Sequence, residues 1–293
     1  MQDVLLRSAL FIPGNKRNML AKALSVTADA IIPDMEDSVP DAEKDNARET
    51  IRDLLPELSR VSGLLVPRIN SLASGLAEAD MSALAGRAIY GVSVGKIETP
   101  SDISELSQML AALESREGLD IGRLKLIPWI ETARAILNCY EICVASPRVV
   151  AIAFGAEDFT NDMGIERLDD DAQLVFARST VCTAARAAGV LALDTPYFKF
   201  QDTEGLRASS IAAKHLGFKG RFAIHPAQLE TINDCFSPSP AEIEHAQRIV
   251  AAYEEAESRG RGSTSLDGLV IDVPVVKRAR ALLDLARRER KVP

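Results

Sequence analysis

Two neighbouring apolar runs in this chain close on carboxylates. Residues 124–130 end at Glu131, and residues 149–154 end at Gly155-Ala156-Glu157-Asp158. Short apolar runs of this kind read as buried parallel strands. Adjacent parallel strands lie roughly 4.8 Å apart, so Glu131 and Asp158 at neighbouring strand ends can reach one hard cation. Mg²⁺ suits such a pair, because one or two carboxylates hold it while waters and substrate oxygens fill its octahedron. The chain offers no His/Cys set of the kind that binds zinc. A cation there would take a carboxylate and an adjacent hydroxyl or carbonyl, acting as Lewis acid and template. Arg68 could stabilise an enolate oxygen or clamp a carboxylate. A salt bridge of Glu131 and Asp158 with Arg68 or Arg134 is the purely structural alternative.

These residues need a frame that brings strand ends together. Strand-like runs recur at residues 8–13, 30–34, 64–69, 90–94, 124–130, 149–154, 190–193 and 221–224. Amphipathic stretches fill the gaps at 42–58, 100–112, 132–145, 171–188 and 204–216, with Asp41 and Ser101 near helix entries. Eight strand–helix units predict an α/β fold of the (β/α)₈ TIM-barrel class, whose usual size is about 250 residues. A doubly wound open sheet is the alternative, but Pro13-Gly14-Asn15 does not match the Gly-rich dinucleotide fingerprint. Two further helical segments follow, at 240–259 and 273–290, with a flexible-looking loop at 259–265. The expected division is a catalytic barrel over 1–236 and a C-terminal helical extension over 237–293.

Composition narrows the partners. The 293 residues are 47% hydrophobic and 26% charged, with a formal net charge of −8, so neither nucleic acid nor an anionic membrane surface is an expected partner. No apolar run reaches the roughly 20 residues of a membrane span. The N-terminus lacks the apolar stretch of a signal peptide, and four cysteines with three scattered histidines read as buried thiols, which together predict a cytoplasmic protein.

In a barrel of this class the active site lies at the carboxyl ends of the strands. Here those ends are loaded: Lys16 and Arg17 after the first, Asp34, Glu36 and Asp37 after the second, Arg68 and Asn70 on the third. Lys96 and Glu98 follow the fourth, then Glu131, Glu157 and Asp158, Asp194, and His225. Lys96 could be a Schiff-base nucleophile, although a pairing with a barrel-mouth acid, Glu98 being the nearest in sequence, suits it better. His225, followed by Pro226, reads equally as a base or a loop former.

The ordered set of segments resembles the citrate lyase β-subunit-like branch of the aldolase/citrate lyase family. It comprises Phe11-Ile12-Pro13-Gly14-Asn15, Asp34-Met35-Glu36-Asp37-Ser38-Val39-Pro40, Pro67-Arg68-Ile69-Asn70, Ile130-Glu131-Thr132-Ala133-Arg134 and Phe154-Gly155-Ala156-Glu157-Asp158. Further on come Asp202-Thr203-Glu204-Gly205-Leu206, Ala223-Ile224-His225-Pro226-Ala227-Gln228 and Ile271-Asp272-Val273-Pro274-Val275-Val276. The resemblance implies a (β/α)₈ barrel that assembles as a homotrimer or hexamer. It implies Mg²⁺-dependent making or breaking of a carbon–carbon bond in a 3-hydroxyacyl thioester, usually of coenzyme A. Glu131 and Asp158 match the metal ligands and Arg68 the arginine that steadies the thioester enolate. Asp272 matches an acid–base aspartate supplied to a neighbour's site. Glu36 and Asp37 fall in the acidic catalytic segment. Lys16 and Lys22 fall where basic residues meet the coenzyme's phosphates, and His225 and Pro226 lie in a segment near its adenine. Three departures stand out: Lys16 replaces a common Arg, which keeps a point charge but not a bidentate contact, Arg17 stands where Pro is often found, and Pro33 sits inside the second strand.

The implied activity is cleavage of a malyl-CoA- or citramalyl-CoA-type thioester to acetyl-CoA and a 2-oxo acid. Three readings remain beside it: a citrate lyase β subunit acting on a citryl carrier protein, a metal-dependent aldolase acting on free hydroxy-oxo acids, and a non-catalytic acyl-CoA-binding subunit.

Overall fold

The computed structural model describes residues 4–61, 63–168 and 170–289. Within them the apolar runs form parallel strands: β1 (Ser8–Pro13), β2 (Ala30–Asp34), β3 (Leu64–Leu65), β4 (Arg68–Ile69), β5 (Gly91–Val94), β6 (Lys125–Ile130), β7 (Ala151–Phe154), β8 (Leu191–Asp194) and β9 (Gly220–Ala223). Each pairs in parallel with its neighbours, and β1 pairs with both β2 and β9, so the sheet closes on itself. The result is a closed eight-stave TIM barrel, as the strand–helix alternation predicts. The third stave is one run in the sequence but two short strands in the structure. Pro67 has no N–H to give the ladder, so the stave breaks between Leu65 and Arg68.

The helices are α1 (Arg17–Lys22), α2 (Lys44–Val61), α3 (Ala77–Ala83), α4 (Pro100–Glu117), α5 (Ala133–Leu137), α6 (Cys139–Val144), α7 (Ala156–Met163), α8 (Val175–Ala188), α9 (Thr203–Leu216), α10 (Leu229–Phe236), α11 (Pro240–Ser258) and α12 (Val273–Glu289). Their entries carry ordinary capping chemistry. Thr99 and Asp102 cap each other reciprocally ahead of α4, so Thr99, not Ser101, marks that helix start. Pro100 takes the first-turn position where a missing N–H costs nothing. The stretch at 132–145, expected as one helix, is two, because it turns at Asn138.

Inside the barrel, side chains of the staves fill the axis. Phe11, Trp129 and Phe222 form an aromatic cluster, Phe11 stacked on Phe222 and Trp129 tilted against both, with ring centroids 4.4–5.6 Å apart. Packed below and around it are Ala9, Ala30, Val66, Ile127 and Val150. The four cysteines are buried free thiols.

The chain divides into two compact units, Met1–Asn233 and Asp234–Pro293. The second is built on its own apolar core of Ala246, Ile249, Tyr253, Ile271, Val276 and Ala279. Part of the expected loop at 259–265 is instead a strand: β10 (Thr264–Leu266) pairs antiparallel with β11 (Leu269–Ile271). Asp267 and Gly268 join them with φ of 51° and 81°, the positive values a tight hairpin turn needs, and the Asp-Gly pair is its sequence signal. The described part of α12 ends at Glu289; Arg290, the expected helix end, and the extreme N-terminus, Met1 to Asp3, lie outside the described residues.

Candidate active site

Register sets the site. Asp34 on β2 is the lateral partner of Arg68 on β4, so the two side chains rise from one level of the barrel mouth. Arg68 grips Asp34 bidentately, Nε to Oδ1 at 2.7 Å and Nη2 to Oδ2 at 2.7 Å. Its Nη1 donates to Asp37 Oδ2 at 3.1 Å and lies 3.1 Å from Glu36 Oε2. The latter approach is an ion pair by distance without hydrogen-bond alignment, and buried Glu36 Oε2 has no hydrogen-bond partner. The guanidinium also sits over the Phe11 ring, 4.6 Å from its centroid. Burial alone would raise the Asp34 carboxyl, but the charge and hydrogen bonds of Arg68 outweigh it and hold the group below its usual range. Glu36 goes the other way: burial, opposed by Arg68, pushes it up to about 7.

The loop carrying these acids is pinned from behind. Buried Lys44 donates to the carbonyls of Met35 and Glu36 at 2.9 and 2.8 Å, and Asn70 donates to that of Met35 at 2.9 Å. Lys96 Nζ approaches Glu36 and Asp37, each at 3.4 Å. It therefore pairs with a barrel-mouth acid, but not with Glu98, which faces Arg134 at 3.5 Å.

On β6 and β7 the last register pairs are Trp129 with Ala153 and Ile130 with Phe154. One residue further, Glu131 stands beside Gly155. A Cβ at Gly155 would fall 2.4 Å from Glu131 Oε2, and one at Gly95 would fall 2.8 and 3.0 Å from Glu36 and Glu131 oxygens. Bare backbone at both points lets the carboxylates converge. Glu131 is 3% exposed and accepts the backbone N–H of Lys96. Asp158, half-buried in the first turn of α7, makes no hydrogen bond or ion pair among the described residues. Neither acid pairs with Arg68 or Arg134, which removes the salt-bridge alternative. Burial first, then the charge of Asp158, pushes Glu131 up to about 8, and burial and Asp37 raise Asp158.

Two acids on neighbouring strand ends, both raised by burial and like charge, are what a divalent ion would resolve. No group of three or more His, Cys, Asp and Glu side chains forms a metal site among the described residues. A two-carboxylate, all-oxygen donor set with an open side nevertheless fits Mg²⁺. Glu131 and Asp158 line a cavity of about 300 Å³ together with Arg68, Asp37 and Glu157. Glu157 turns outward to Arg167 at 2.6 Å, so it is not equivalent to Asp158.

The remaining candidates are spread more widely. Lys16 and Lys22 are exposed at the two ends of α1, beyond the carboxyl end of β1. His225 and Pro226 are exposed after β9, where His225 Nδ1 accepts from Ala227 N at 3.2 Å and its ring stacks on Phe200 at 5.0 Å. Asp272 belongs to the second unit, exposed at the entry to α12, where Oδ1 accepts from Val275 N at 3.2 Å. Asp194 leaves the ring of mouth charges: it is fully buried between Arg178 and Arg221 and holds the fold together. Sequence reasoning passed over Lys44, Gly95 and Gly155 as site residues, and gave Asp34 no role. Asp34 was visible as a strand-end charge and the two glycines each fall next to a charged strand end, whereas Lys44 carried no signal.

A model of the HpcH/HpaI aldolase/citrate lyase family matches residues 7–226. This chain belongs to that family. It is 37% identical to the citrate lyase subunit beta of Leuconostoc mesenteroides subsp. cremoris, over 96% of this chain and 93% of the relative. It is 32% identical to the mitochondrial citramalyl-CoA lyase of Rattus norvegicus, over 96% of this chain and 86% of the relative. Among solved structures, the CitE protein of Mycobacterium tuberculosis in complex with magnesium, acetoacetate and coenzyme A superposes with a TM-score of 0.82 at 30% identity, covering 98% of this chain and all of that one. The family is one of lyases, and the chain is an enzyme of it. No helix among the described residues is long and apolar enough to cross a membrane.

Proposed function

We propose that this chain is a Mg²⁺-dependent carbon–carbon lyase that cleaves a malyl-CoA- or citramalyl-CoA-type thioester to acetyl-CoA and a 2-oxo acid. The observation that carries the reading is the pair Glu131 and Asp158, which make no ion pair among the described residues and line one cavity with Arg68. These two side chains would hold the ion, which supplies Lewis-acid polarisation of the substrate's carboxylate and adjacent oxygen.

The chain's own residues account for the remaining steps. A base, for which Asp272 is the candidate, takes the proton of the substrate hydroxyl. The C–C bond breaks, and its electron pair passes into the thioester carbonyl as an enolate. Arg68 faces that oxyanion with the N–H groups its acid partners leave unused. A proton then returns to the enolate carbon, giving the acetyl thioester. Asp272 would act on a neighbouring subunit's site in a homotrimer or hexamer, which gives the C-terminal extension a purpose. Lys16 and Lys22 would meet the coenzyme's phosphates, and His225 and Pro226 its adenine.

The decisive test is a panel of malyl-, citramalyl- and citryl-CoA, with and without Mg²⁺, on the chain and on its Glu131→Gln variant. Metal-dependent cleavage that the variant loses by 10²-fold or more supports the reading; a folded variant with undiminished activity refutes it. The likeness to citrate lyase beta subunits favours a second reading, action on a citryl carrier protein. Cleavage of free CoA thioesters by the purified chain alone decides against it.

A further inference from the structure

The cavity is two-sided. One side carries the acids and Arg68; the other is Phe11, Trp129, Pro196, Phe198 and Ile224. Among the described residues that line it, Arg68 is the only cationic side chain. That guanidinium already answers Asp34 and Asp37, and the enolate has the next claim on it. The other charges at the wall, Asp34, Asp37, Glu131, Glu157 and Asp158, are negative; Glu157 is paired with Arg167, and Lys96 beside the wall faces Glu36 and Asp37. Phe198 is 52% exposed at this mouth, an open aromatic face that a ligand can cover.

The candidate substrates differ at one place, the substituent on the hydroxyl-bearing carbon. It is hydrogen in a malyl thioester, methyl in a citramalyl thioester, and a carboxymethyl group in a citryl thioester. The released acids are glyoxylate, pyruvate and oxaloacetate, respectively. All three share the carboxylate and adjacent oxygen that the Glu131–Asp158 end provides for. A carboxymethyl group brings one more negative charge. Ser38 gives its hydroxyl proton to Asp34 and Thr195 offers one neutral hydroxyl, so this lining meets the charge chiefly with acids or with apolar carbon. Either contact strips its water without replacing it by a partner. A methyl or ethyl group instead covers Phe198 and its apolar neighbours.

Resting on the lyase reading above, we infer that the substrate carries a small alkyl group on its hydroxyl-bearing carbon, so that the 2-oxo acid released is a pyruvate-type monocarboxylate. Phe198 is the residue that sets this preference. One methyl in an apolar pocket is worth roughly 10-fold to 200-fold, which bounds the preference over glyoxylate.

The test measures binding of glyoxylate, pyruvate, 2-oxobutyrate and freshly prepared oxaloacetate to the Mg²⁺-loaded full chain by calorimetry. Cleavage of the three CoA thioesters is followed beside it. Pyruvate binding about tenfold or more tighter than oxaloacetate, with citramalyl-CoA cleaved best, is the expected result. A Phe198→Arg variant places a cation on the apolar side and should shift the oxaloacetate-to-pyruvate ratio at least tenfold toward oxaloacetate, with an unchanged melting temperature. Oxaloacetate or citryl-CoA equal to or better than its alkyl counterpart overturns the inference and leaves the lyase reading standing. Failure of every thioester and every oxo acid overturns both.

Discussion

The backbone N–H of Lys96 donates to Oε1 of Glu131, and it reaches that oxygen because Lys96 sits in the left-handed region, at φ 56°. A residue valued for its side chain thus orients the metal-site acid through its main chain. Left-handed backbone costs a non-glycine residue roughly 1–2 kcal/mol. Lys96→Gly should keep the N–H in place and bind Mg²⁺ within a few-fold of the parent. Lys96→Val, β-branched and ill-suited to this conformation, should lose about 1–2 kcal/mol of stability and at least tenfold in Mg²⁺ affinity. Calorimetric Mg²⁺ titration with thermal melts checks both; equal Mg²⁺ affinities in the two variants would dismiss the main-chain role.

Gly155 makes a second geometric claim. Its missing Cβ is the space that Glu131 Oε2 occupies, at 2.4 Å. Gly155→Ala should push the carboxylate aside and weaken Mg²⁺ binding by tenfold or more, while the barrel still melts cooperatively. The Mg²⁺ dissociation constant is the measurement, and parent-like binding refutes the claim.

The acids also set a pH dependence. Glu131 at about 8 and Glu36 at about 7 both stand above the ordinary glutamate value of 4.5. A raised carboxyl binds its proton more tightly in the folded state, so its contribution to stability is full below about 4.5 and is lost as pH rises toward 8. The metal-free protein should therefore lose stability across that window. Mg²⁺ competes with the proton, so its affinity should rise over the same range and level off above about pH 8. Melting temperatures from pH 5 to 9, with EDTA and with Mg²⁺, test this; a metal-free melting point that climbs through the window would show the sign to be wrong.

Asp272 has a structural and a proposed chemical task, and two substitutions separate them. Its carboxylate accepts from Val275 N at the entry to α12. Asn caps as well as Asp, whereas Ala costs about 1 kcal/mol. Asp272→Asn should therefore melt like the parent yet lose 10²-fold or more in kcat, the range typical of a general base. Asp272→Ala should lose both. An Asn variant with full activity would leave only the cap.

Much was legible in the sequence because it follows from local pattern. Eight apolar runs spaced by amphipathic stretches specify strands and helices through side-chain periodicity, and their alternation admits few closed arrangements. Strand-end acids were visible for the same reason: polarity changes abruptly where a buried strand meets solvent. The hairpin at Asp267-Gly268 was just as legible, and a flexible-looking flank hid it.

What the tertiary structure decided were relations between strands. Lateral register put Arg68 level with Asp34, Glu131 beside Gly155, and Lys96 across from Glu36 and Asp37. It also buried Asp194 between two arginines although its sequence position equals that of the mouth acids. Register depends on how staves stagger when the barrel closes, a sum over many weak contacts distant in sequence. The types of chemical group thus belong to the local chain, and their convergence around one small cavity belongs to the closed sheet.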